Sequence, residues 1–157
     1  MGTLTITGFL EARISEDEAV ARAATPGPWE WEPETDEWGD CGPNLATVAK
    51  LPPYPDGSQS PVETVIGSWG HDAWGVSVED GDKDHIARHD PSRVLAECAA
   101  KRKIIGLHGA DPANDKPVCL SCGDWWDGSP EPFPCPTLKA LAAVYSSHED
   151  YDSGWAL

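Results

Sequence analysis

The chain has 157 residues, 27 acidic and 11 basic, for a net charge of −16, with 15 Gly, 15 Pro and 8 Trp. Eight Trp exclude a disordered chain, which tends to lack aromatics, and the composition fits neither collagen nor a coiled coil. No run approaches the roughly 18 apolar residues of a membrane span. The opening MGTLTITGFLEARISEDEAV has neither the basic start nor the sustained apolar stretch of a signal peptide. The expectation is a single cytoplasmic domain over 1–157, divided into an N-terminal helix (1–25), a sheet region (29–80), a helix (83–108) and a C-terminal segment stapled by metal (109–157).

From Gly8 to Ala24, the residues Phe9, Leu10, Ile14, Val20 and Ala24 form a loose apolar stripe that predicts a helix. Ser15 and Glu18 stand at capping-box spacing, so a second helix could begin there. Thr25-Pro-Gly-Pro28 ends the helical pattern, because Pro26 turns Thr25 away from helix and Gly27 permits a turn. From Trp29 the period changes. Trp29-Glu-Trp31, Leu45–Leu51, Val62–Trp69 and Trp74–Val78 read as four short strands joined by Pro- and Gly-rich loops. Such short connections favour an antiparallel meander, and a sheet this small needs a helix against one face.

Asp90-Pro91 is a helix start: Asp90 can cap, and Pro91 suits the first helical position. The helix is expected to run to Leu107 or His108, with Val94, Leu95, Cys98, Arg102 and Ile105 near one face. It is expected to cover the sheet. Residues 109–136 read as loop, and Thr137–Ser146 as a last helix. Tyr151 and Trp155 would order the tail if they dock. The fold class is therefore α+β: a small antiparallel sheet packed against helices, with a zinc knuckle in the C-terminal segment.

The five cysteines are an odd count for a disulfide framework. Cys119-Leu-Ser-Cys122-Gly123 places two thiolates so that a tight turn can clasp one zinc ion. Cys135 precedes the last predicted helix, where a helix N-terminus favours the thiolate. Three soft donors point to a closed structural zinc site. His108 is the expected fourth ligand, with His148 as the alternative. A redox pair usually heads a helix after a strand, and no such context surrounds Cys119. Cys98 reads as a core thiol and Cys41 as an unpaired loop residue.

His85-Ile-Ala-Arg-His89 sets two imidazoles four apart, the helical spacing that lets two histidines share a metal. The metalloprotease motif needs Glu after the first His, and Ile86 stands there. The plainer expectation is that both histidines pack on, or hydrogen-bond to, the sheet. The sharper one is a binding site for a small anionic ligand, such as a nucleotide, built from His85, Arg88, His89, Trp29 and Trp74.

Residues 1–80 hold 15 acidic and 3 basic residues. Charge of this sign opposes binding to a phosphate backbone, so direct nucleic-acid binding is disfavoured. It suits a protein that occupies a basic surface on a partner.

The order Thr25-Pro-Gly-Pro-Trp29, His85-Ile-Ala-Arg-His-Asp-Pro91, the Cys pair and Pro134-Cys-Pro-Thr-Leu138 resembles a family of uncharacterised proteins from actinobacteria and their phages. The first two pieces also resemble, more weakly, the Ead-like proteins of temperate phages. The resemblance implies a phage or prophage accessory protein and no particular reaction. The leading expectation is a non-enzymatic protein that binds a host protein through an acidic surface including Glu30, Glu32, Glu34, Asp36 and Glu37. The alternatives are the small-ligand binder above and a metal-dependent hydrolase using the same histidines.

Overall fold

The computed structural model describes residues 5–32, 44–48, 52, 55–56, 63–67, 78–111, 116–123 and 129–157. The expected strand over Trp74–Val78, together with Trp69, Cys41, Glu34, Asp36 and Glu37, lies outside the described residues save for Val78 itself. The elements are helix α1 (Ile6–Ala23), strands β1 (Trp29–Trp31), β2 (Leu45–Thr47) and β3 (Thr64–Ile66), helices α2 (Asp80–Arg88) and α3 (Pro91–Leu107), strands β4 (Val118–Gly123) and β5 (Pro130–Pro132), helix α4 (Pro136–Ala143) and a short 3-10 turn at Ser153–Trp155. This is an α+β fold with two small antiparallel sheets. The chain divides into two compact units, one of Met1–Asp17 with Glu97–Leu157, the other of Glu18–Ala96.

The core of the first unit follows from the phase of α1. Ile6, Phe9, Leu10 and Ile14 recur at three- and four-residue steps, and all four are buried. Cys98 and Ile105 of α3, Leu138 and Ala142 of α4, and Trp155 are buried with them in this unit. Val20, expected on the same stripe, is 73% exposed, while Ala21 is buried. Eleven residues, three turns, beyond Phe9, Val20 keeps the phase of that edge of the stripe, and Ala21 the phase of the Leu10 and Ile14 edge, so past Ile14 only the second edge stays buried. No second helix begins at Ser15. Its hydroxyl donates to the Glu11 carbonyl one turn back (2.8 Å) and α1 runs through unbroken.

Phe9 organises the C-terminal tail. Its ring meets Tyr145, His148 and Tyr151 edge-on at 5.9–6.3 Å and Trp155 at 5.1 Å. Arg13, one turn on, is itself buried. Its guanidinium lies 5.6 Å from the Phe9 ring, donates to Glu16 (2.8 Å) and rests against His148 Nε2. Tyr145 donates to Asp17 (2.7 Å) and accepts from Lys101 (3.3 Å), so one phenol links α1, α3 and the end of α4. Burial, then Asp17, holds this phenol above its ordinary range.

In the second unit the sheet order is β1-β2-β3, antiparallel, with Glu30 opposite Ala46 and Leu45 opposite Ile66. All three residues of the central strand are buried. Helix α2 packs on β1, where the Trp31 indole donates to the Lys83 carbonyl (2.8 Å) and so satisfies its one polar atom. Asp90 separates α2 from α3. It caps α3 through the Arg93 amide (2.9 Å), and its other oxygen faces the Trp29 amide (3.4 Å). Gly27 lies against this carboxylate: a Cβ there would stand 2.7 Å from Asp90 Oδ1 and 2.9 Å from Ser92 Oγ. The Thr-Pro-Gly-Pro-Trp and His-Asp-Pro-Ser stretches thus meet, and glycine is the residue that lets them.

Candidate metal centre

Residues 109–136, expected as loop, instead carry a β-hairpin. β4 pairs with β5 from Val118↔Pro132 to Gly123↔Pro130, with a register shift between. On the other side of β4, Ala110 bridges to Cys119, held by Asp111 N–H to Val118 O (2.8 Å) and Leu120 N–H to Gly109 O (2.9 Å). The prolines at 130 and 132 make this stretch read as loop. An edge strand tolerates them, since its outer amides need no partner in the sheet.

This framework brings four donors together. His108 ends α3, Cys119 and Cys122 lie along β4, and Cys135 is the N-cap residue of α4. His108 Nδ1 is 3.5 Å from Cys119 Sγ, 3.3 Å from Cys122 Sγ and 3.6 Å from Cys135 Sγ. All four donor atoms lie within 4.8 Å of one another, close enough to hold one metal ion. A tetrahedral zinc with bonds near 2.3 Å to sulfur and 2.0–2.1 Å to nitrogen sets each N–S edge at about 3.6 Å. The three separations around His108 match that edge. Cys135 and Cys119 are buried, and Cys122 and His108 half-buried.

The thiols do not ionise alike. Burial raises Cys119, but the backbone at Ser121 and Cys122, with His108 and Cys135, outweighs it and lowers the thiol to about 7. Burial and then the neighbouring Cys119 and Cys135 push Cys122 up to about 11. Three sulfurs this close resist carrying charge together, and a divalent cation among them would supply the missing counter-charge.

His148, the alternative fourth ligand, is not in this group. The Arg13 guanidinium lies on its Nε2 and the Asp150 amide on its Nδ1 (3.1 Å), so both ring nitrogens are engaged elsewhere. Cys98 is buried and stands outside the cluster among the described residues.

The other expected site residues fall in the second unit. His85, Arg88 and His89 are all exposed on α2 and at its end, which corrects the expectation that both histidines turn onto the sheet. The positions of α2 nearer β1 are instead Lys83, Ile86 and Ala87, which are half-buried. His85 and His89 do come together: their ring centroids are 4.3 Å apart. Trp29 is half-buried, its indole N–H held by the Thr25 carbonyl (2.9 Å). Trp74 lies outside the described residues. Glu30 is exposed and Glu32 half-buried.

Among the described residues, no helix is long and apolar enough to cross a membrane. No curated protein and no solved structure matches the chain. A family model does, over residues 3–157, and the chain belongs to that family, DUF6221, a family of unknown function.

Proposed function

We propose that the chain is a non-enzymatic binding protein whose C-terminal segment is held by one structural zinc. The observation that carries this reading is the near-equal spacing of His108 Nδ1 from three cysteine sulfurs, 3.3–3.6 Å. Four protein donors fill a tetrahedral shell and leave no position for water or substrate, which is the mark of a structural site. The donors come from the end of α3, from β4 and from the N-cap of α4, so the ion cross-links segments that a loop-rich chain joins weakly by apolar contact alone.

The partner we propose is a host protein, met through an acidic surface that includes Glu30 and Glu32, with the chain acting as a phage or prophage accessory factor. The net charge of −16 supports an electropositive partner.

Elemental analysis of the purified chain beside Cys119→Ser tests the first part. One zinc per chain, missing from the variant, is the expected result; no zinc in the wild type, or zinc kept by the variant, overturns it. Cobalt(II) loading of the folded wild type gives a second readout, through thiolate-to-metal absorption. For the second part, a partner captured on the immobilised chain should elute steeply with salt and bind weakly to a chain carrying Glu30→Lys and Glu32→Lys. Binding that ignores salt removes the acidic surface from the account.

A further inference from the structure

A different pair of residues carries an inference independent of the cysteine cluster. His85 lies in the last turn of α2, and His89 is that helix's C-cap residue. Their imidazoles stand side by side, centroids 4.3 Å apart and planes 35° from parallel. Both are exposed. His89 Nδ1 lies 2.9 Å from the His85 carbonyl oxygen. A carbonyl only accepts, so the proton of the neutral His89 ring sits on Nδ1 and the Nε2 lone pair is left free. Metal-binding histidines are commonly prepared in this way: the second ring nitrogen donates to a backbone carbonyl, which fixes tautomer and orientation.

We infer that His85 and His89 form a second metal site, an open two-imidazole clamp for a borderline divalent transition-metal ion such as Ni2+, Cu2+ or Zn2+. Two nitrogens bound at 2.0–2.1 Å to one ion stand about 3 Å apart, and the exposed side chains are free to turn their nitrogens toward a shared ion. The helix end assists, because the negative pole of the helix dipole lies there and favours a cation. Asp80, Asp82 and Asp84 add negative charge along the same helix. Arg88 and Arg93 oppose it; Arg93 is drawn to the Arg88 carbonyl at that helix end (3.2 Å). Two protein donors leave several coordination positions open, so the ion exchanges readily and can be shared with a ligand or partner. Imidazole donors suit this class of ion and not Mg2+ or Ca2+, which prefer oxygen.

The experiment is a calorimetric titration with Ni2+ of the untagged full chain, dialysed until it keeps only one tightly held zinc, the nickel chosen because it does not oxidise thiols as Cu2+ can. Bound nickel and zinc are counted by elemental analysis at the end point. The expected result is one nickel per chain with zinc content unchanged. His85→Ala should weaken nickel binding at least about tenfold, and His85→Ala with His89→Ala should abolish it. His85→Ala leaves the C-cap side chain in place, so its effect reads on the donor itself and not on the end of α2. Nickel uptake equal in the double variant and the wild type overturns the site. So does nickel that enters only as zinc leaves. Because the result is scored as wild type against histidine variants, it stands or falls separately from the cysteine cluster.

Discussion

Stripping the metal from the cysteine cluster should unfold the C-terminal segment over 108–148. His108 and Cys119 are eleven positions apart in sequence, and Cys122 and Cys135 thirteen. Treated as cross-links that restrict the unfolded chain, loops of this length contribute about 3 kcal/mol each, or about 6 kcal/mol together. That is comparable to the entire stability of many domains, about 5–15 kcal/mol. At about 2–4 °C per kcal/mol for a chain of this size, the melting temperature should fall by about 12–24 °C. The assay is thermal melting by circular dichroism, before and after chelation at neutral pH, with metal content measured on the same samples. Hydrogen exchange adds the location. Amides of β4, such as Leu120 N–H on Gly109 O, and Lys139 N–H on Cys135 O should lose protection. An unchanged melting curve after complete metal removal would refute the reasoning.

Three further outcomes follow from the packing. Cys98→Ser should leave the zinc content at the wild-type level while costing about 1–3 kcal/mol in a denaturant titration, because a hydroxyl is costlier than a thiol to strip of water at a fully buried position; loss of zinc would place Cys98 in the cluster. Tyr145 keeps its proton in the folded chain beyond the point, near pH 10, at which the unfolded chain loses it. Stability from this group is therefore full below about pH 10 and falls as pH rises further, and Tyr145→Phe should flatten that fall while costing about 1 kcal/mol at neutral pH; an equally steep fall in the variant would show that another group titrates. Gly27→Ala should cost about 1–3 kcal/mol by pressing on the Asp90 carboxylate, and Asp90→Ala about 1 kcal/mol by uncapping α3. In the double variant the Gly27→Ala cost should shrink, and strict additivity in the thermodynamic cycle would separate the two positions.

What was legible in the sequence was what local chemistry decides. Asp90-Pro91 marks the break between α2 and α3 because capping and the proline ring act on adjacent residues. Cys119 and Cys122 announce a metal clasp because two thiolates at that spacing on one tight segment have few other uses. Where the reading went astray, the deciding partner was distant. Phe9, Leu10 and Ile14 gave the phase of α1, and Val20 keeps that phase, yet it is exposed because periodicity shows which side of a helix is apolar and not how far along it a covering partner extends. The prolines of β5 looked like loop residues because nothing local shows that they occupy an edge. His148 and His108 were equal on spacing, at thirteen and eleven positions from a cysteine. What separates them is Arg13, 135 residues from His148, whose buried guanidinium takes the imidazole and leaves the cluster to His108.

The same asymmetry explains the two histidines of α2. Their four-residue spacing is local and was read at once. Their direction depends on which face of α2 meets β1, and the Trp31 indole settles that by seeking the Lys83 carbonyl. Lys83, Ile86 and Ala87 are half-buried, and His85 and His89 are left in solvent. Weakening the Trp31–Lys83 contact should expose the same link. Trp31→Phe keeps an aromatic ring but removes the N–H together with the pyrrole part of the indole, at a cost of about 1–3 kcal/mol. If α2 owes its seating to this bond, nickel affinity at His85 and His89 should fall with it, although neither histidine touches the substituted atom. Unchanged affinity in a destabilised Trp31→Phe would show that α2 holds its face toward β1 by apolar packing alone.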